Sequence, residues 1–76
     1  MINNAEEKTK EREELVNTFI KFDFVLTQNQ KQIMHLYYIE DLSMGEIAEI
    51  VVTTRSAVFD AIDKSRKKLK PFINSK

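Results

Sequence analysis

The sequence has no cysteine, no tryptophan, one glycine and one proline in 76 residues. Without cysteine there are no disulfide staples and no thiolate metal sites, which fits a reducing compartment. A single glycine cannot build a phosphate-cradling loop, so nucleotide hydrolysis of that kind is excluded. Scarce glycine and proline also leave little turn material for β-hairpins. No apolar run approaches the length of a membrane span, and the opening Met-Ile-Asn-Asn-Ala-Glu-Glu has neither a basic nor an apolar signal region. The expectation is a cytosolic protein with no membrane contact. Net charge is lacking too, with twelve acids against twelve bases.

The charge is nevertheless unevenly spread. Residues 1–40 hold seven acids and five bases, residues 41–76 hold five acids and seven bases, and from Lys64 onward there is no acid at all. A neutral total therefore leaves room for a local basic patch.

What is present repeats with a period near 3.6, which predicts an all-α fold: a small bundle of about four helices ending in a helix-turn-helix, with no wing. Nothing divides the chain, so residues 1–76 are expected to form one domain, small enough that a single core carries its stability. Residues 1–14 read as a charged helix start that projects or frays. Within it Glu6/Lys10 and Lys10/Glu14 can pair across one turn, each worth about 0.3 kcal/mol. The same first helix, Glu6 to Phe22, turns amphipathic at Leu15/Phe19 and Val16/Ile20. Asp23 to Leu26 connects to a second helix, Gln28 to Ile39, capped by Thr27 and burying Ile33, Leu36 and Tyr37. Glu40 and Asp41 make a polar joint.

The richest stretch is 43–70. Ser43 and Glu46 can bond reciprocally to each other's backbone N–H, the signature of a helix start. Ile47, Ala48 and Val51 then form a buried stripe, and small Ala48 allows a second helix to cross closely. After a break at Val52-Thr53, Thr54 can cap that second helix, whose Val58, Ala61, Ile62 and Leu69 face inward. Pro71 is expected to end it, since the residue before proline is pushed out of the α region. Phe72 and Ile73 would then fold back on the bundle, and the last three residues would be loose.

Arg55, Ser56, Phe59 and Asp60 remain on the outer face, where helix-turn-helix proteins place their reading residues. Arg55 can grip guanine O6 and N7, can clamp a phosphate, or can be a solvated helix-start arginine, although a cation in the first turn opposes the helix dipole. Phe59 can touch a thymine methyl or an unstacked base, or can pack in the core or on a partner subunit. Asp60 repels phosphate. Lys64, Lys67 and Lys68 can contact phosphates, or can merely complement the helix dipole.

No metal or cofactor is expected: His35 has no second histidine or cysteine beside it, and Glu46/Glu49 and Asp60/Asp63 read as solvated carboxylates. Seven aromatic residues exceed what so small a bundle easily hides, which predicts a homodimer through the first helix or the aromatic surplus.

Across Leu26 to Leu69, the segments LTQNQ, LYYIEDLS, GEIAE and RSAVFDAI closely resemble the YlxM family of small bacterial helix-turn-helix proteins and, more distantly, the fourth conserved region of sigma factors. The resemblance implies a cytoplasmic, all-helical, non-enzymatic DNA-binding regulator, linked by gene neighbourhood to the signal recognition particle pathway. It makes duplex DNA the first expected partner, with Thr54 anchoring the reading helix. RNA and the proteins of that particle are the alternatives. One departure stands out: glycine usually occupies the turn where this chain has Val52. Either the turn here avoids left-handed geometry, or Val52 bears strain of about 1–2 kcal/mol.

Overall fold

The computed structural model describes the backbone of residues 4–73 and the side-chain surroundings of residues 10–73. The expected Glu6/Lys10 pair and the final three residues lie outside this description. Four helices follow one another: α1 (Asn4–Phe22), α2 (Gln28–Met34), α3 (Met44–Ile50) and α4 (Arg55–Ile73). No strand occurs among the described residues.

The starts of α2, α3 and α4 are each set by a side chain that the backbone needs. The Gln30 N–H donates to Thr27 Oγ1 at 3.2 Å while the Thr27 N–H donates to Gln30 Oε1 at 3.1 Å, so α2 opens on a full capping box. Ser43 and Glu46 make the same exchange at α3, at 3.0 and 3.2 Å. At α4 the Ala57 N–H donates to Thr54 Oγ1 at 3.1 Å. These bonds satisfy N–H groups that a helix start otherwise leaves without partners.

Between α1 and α2 a short 3₁₀ turn, Asp23–Val25, brings Leu26 into the core. The second helix does not run evenly to Ile39 as the periodicity predicts. It widens into a π-turn over His35–Ile39, closed by the Glu40 N–H on the His35 carbonyl at 3.1 Å. Such widening inserts one residue into the turn and re-aims the side chains around it. Here Tyr37 and Tyr38 meet edge to face, with ring centroids 4.9 Å apart, and Leu36 stays half-buried. The joint beyond it holds Asp41 at φ 62°, tied down by the Leu42 N–H on the Leu36 carbonyl.

The core lies around α4, which packs against each of the other three helices. Its Val58, Ala61, Ile62 and Leu69 are buried, as the spacing predicts, and so is Ser65. The Ser65 hydroxyl is satisfied within the helix, donating to the Ala61 carbonyl at 2.6 Å. Opposite them lie Leu15 and Phe19 of α1, Ile33 and Met34 of α2, and Ile47 and Ala48 of α3. Full burial of each large apolar side chain is worth about 1.5–3 kcal/mol relative to exposure.

Two expectations are corrected by the packing. Ile20 does not share the buried row of α1; it is 62% exposed, because the core contacts of that helix run through Leu15, Thr18 and Phe19. Pro71 does not end α4, which continues to Ile73. Proline there removes one helical bond only in the last turn, and that loss is offset where Phe72 stacks on Phe22 with centroids 4.6 Å apart and Ile73 packs against the core. The aromatic residues are not all hidden, as the composition predicts. Phe19 is buried, Phe22, Phe72, Tyr37 and Tyr38 are half-buried, and only Phe24 and Phe59 stand well exposed. Nor do the ion pairs among the described residues include Lys10 with Glu14.

Candidate nucleic-acid interface

The turn joining α3 to α4 fixes the direction from which α4 begins. Val51 closes α3, Val52 takes the left-handed conformation at φ 54°, and the Thr53 N–H donates back to the Ala48 carbonyl at 2.8 Å. This is the bond pattern of a helix end that ordinarily uses glycine at the left-handed position. Of the two alternatives for Val52, the strained one is therefore realised. The residue is 88% exposed, so no packing compensates.

From that corner α4 presents Arg55, Ser56 and Phe59, all exposed, Phe59 to 59%. Phe59 is thus not a core residue. Together with Ser43, Met44 and Gly45 of the α3 start, these three line one shallow hollow between the two helix beginnings. The Arg55 guanidinium lies against Gly45. Glu46 is held on the neighbouring side by the Ser43 backbone N–H and hydroxyl, which keep its carboxyl below the usual glutamate range.

The lysines expected on phosphates sit in a different setting. Lys64 Nζ lies 3.0 Å from Asp60 Oδ2, and Lys67 Nζ lies 3.0 Å from Asp63 Oδ2. Lys68 reaches across to α2, where its ammonium donates to Gln30 Oε1 at 2.8 Å. At about 100° per residue, Arg55 and Lys68 fall on opposite flanks of α4, roughly 140° apart. The outward midline between them carries Ser56, Asp60 and Lys67 instead. The i,i+4 spacing of Asp60/Lys64 and Asp63/Lys67 was the sequence signal for the two local pairs.

Two further cations, Arg66 and Lys70, were absent from the sequence-derived set. They line a groove between α1 and α4 whose other wall holds Glu11 and Glu14. The charged start of α1 thus sets acids opposite the basic tail. Arg66 also neighbours Tyr38, whose phenol is pushed above its ordinary range by burial, against the opposing pull of Arg66 and Arg12. His35 is exposed, with Nε2 3.3 Å from Glu40 Oε2. No cluster of three metal-ligating side chains occurs among the described residues, and no described helix is long and apolar enough to cross a membrane.

Comparison with known proteins agrees with this architecture. The family profile described as "Putative helix-turn-helix protein, YlxM / p13 like" matches residues 6–75. UPF0122 proteins of Bacillus thuringiensis, Bacillus mycoides and Bacillus cereus are each 46% identical over 54 residues, covering 67% of this chain and 49% of the relative. The chain spans about half the length of the curated relatives it matches. No solved structure matches it.

Proposed function

The chain belongs to the UPF0122 family of YlxM/p13-like helix-turn-helix proteins, and from that membership and the exposed start of α4 we propose that it binds duplex DNA and regulates transcription without being an enzyme. The observation that carries this reading is the joint exposure of Arg55, Ser56 and Phe59 on one helix start, beside the start of α3. In this reading Thr54 fixes the helix start, Arg55 and Ser56 meet base edges, and Phe59 meets a thymine methyl. Lys64, Lys67 and Lys68 give up their present partners to reach phosphates. The protein acts in the cytoplasm, and a homodimer forms through the apolar residues left outside, Ile20 and Phe24 among them.

A second reading is favoured by a specific feature: Ile50, Val52 and Phe59 expose apolar surface around the turn and the start of α4. Such surface fits docking on a protein, and the signal recognition particle machinery or its RNA is the alternative partner. Binding of mixed duplex DNA and of structured RNA at about 50 and 200 mM salt separates the readings. Duplex binding should weaken steeply between the two, by about 0.9 log units per phosphate contact for each tenfold rise in salt. Arg55→Ala should remove about 1–3 kcal/mol of preference for a selected site. A shallow slope with no sequence preference overturns the DNA reading.

A further inference from the structure

Gly45 is the only glycine of the chain, and its backbone is not left-handed. It occupies the first turn of α3, where alanine is the better helix former, so the backbone itself gives no reason for glycine. The space that a side chain would fill is taken by Arg55. A Cβ placed on Gly45 would come within 2.9 Å of Arg55 Nη2, 3.0 Å of Nε and 3.2 Å of Cζ. The guanidinium therefore rests on bare backbone, at the rim of the hollow shared by Ser43, Ser56 and Phe59.

We infer that Gly45 is a positioning residue: it seats the Arg55 guanidinium and sets the direction of its N–H fork for a two-pronged contact. The inference rests on the duplex-binding reading and adds to it the residue that aims the reader. Arginine's long stem carries large rotamer freedom, and a planar fork recognises a base edge only in the correct orientation. A methyl at Gly45 meets the far end of a movable side chain, so the guanidinium shifts and the fold does not. The expected result is a separation of two properties that a structural glycine would move together. Stability holds or rises, while discrimination falls.

The test compares Gly45→Ala, Arg55→Ala and the double variant in three readouts: melting temperature, preference for a selected duplex over its single-base variants, and the NMR resonance of the Arg55 Nε–H group without DNA. Gly45→Ala should melt no lower than the parent, shift the Arg55 resonance, and lose about fivefold or more of the preference, the lower end of what one bidentate base contact carries. In the Arg55→Ala background the added methyl should cost no further preference. A shifted resonance with preference intact overturns the positioning role and leaves duplex binding standing. An unshifted resonance overturns the contact itself. A parent protein with no duplex preference in the same selection overturns the underlying reading, and the inference with it.

Discussion

Arg12 of α1 and Asp41 of the joint before α3 face each other at 3.0 Å, Nη2 to Oδ1, and the same guanidinium nitrogen donates to the Tyr38 carbonyl at 3.2 Å. The guanidinium also lies 5.2 Å from the centroid of the Tyr38 ring. One arginine thus ties the first helix to a π-turn and to a residue at φ 62°. The joint that delivers the chain into the helix-turn-helix is held from outside by a side chain 29 positions away.

Arg12→Ala should therefore destabilise the protein, but modestly. Both partners are substantially exposed, at 44% and 81% of their side chains, and exposed pairs and cation–π contacts are each worth at most about 1 kcal/mol. Urea unfolding should show a loss of about 1 kcal/mol at low salt that shrinks at high salt. A loss independent of salt would mean that packing of the arginine stem, not its charge, secures the joint.

Val52→Gly should stabilise the protein. A left-handed non-glycine residue costs about 1–3 kcal/mol, and glycine's greater freedom in the unfolded chain takes back about 0.5–1 kcal/mol. The net gain is about 1 kcal/mol, readable as a higher denaturation midpoint with an unchanged slope. A drop in stability would show that the valine side chain contributes contacts despite its exposure.

Ser43→Ala should cost about 1 kcal/mol through loss of the cap. It should also move the Glu46 titration. The Ser43 backbone N–H is the larger cause of the lowered Glu46 pKa and survives the change, while the hydroxyl contribution is lost. The midpoint should rise only part of the way to that of a free glutamate. Because the folded-state value is depressed, the stability that Glu46 contributes is present above the unfolded pKa and disappears as pH falls through the folded one. Carboxylate NMR from neutral to acid pH measures both.

Asp63→Asn should strengthen binding to all duplex sequences alike. It releases Lys67 from its partner at 3.0 Å on the outward midline of α4 and removes a charge that repels phosphate. The salt slope should steepen by up to about one unit, and Lys67→Ala should flatten it by a similar amount. Equal slopes in all three proteins would place the phosphate contacts elsewhere, with Arg66 and Lys70 the next to test.

Much of the helical framework is legible in the residues because its causes are local. Thr27, Ser43 and Thr54 are caps by virtue of bonds that span three positions, and Val58, Ala61, Ile62 and Leu69 share a face by helical geometry alone. The exposure of Arg55, Ser56 and Phe59 follows from the same arithmetic, since they avoid that face. What escapes is decided by contacts distant in sequence. Nothing near His35 announces a π-turn, nothing near Pro71 announces the Phe22 stack that carries α4 past it, and Val16/Ile20 has the right spacing for a core row that the neighbouring helices do not cover. Lys68 looks like another surface cation until Gln30 is brought beside it. The seat of Arg55 on Gly45 is invisible for the same reason, ten positions apart and joined only by the crossing of two helices.

α4 carries the core on one side and the exposed Arg55, Ser56 and Phe59 on the other along a single uninterrupted helix. Since each residue turns such a helix by about 100°, inserting or deleting one residue between Phe59 and Leu69 would turn the end that carries Leu69 out of phase with the end that carries Arg55, Val58 and Phe59. The fold could keep one end of α4 seated in the core, never both. A change of length inside α4 should therefore cost more than a substitution there, and length should be tolerated better in the joint before Ser43 or beyond Ile73.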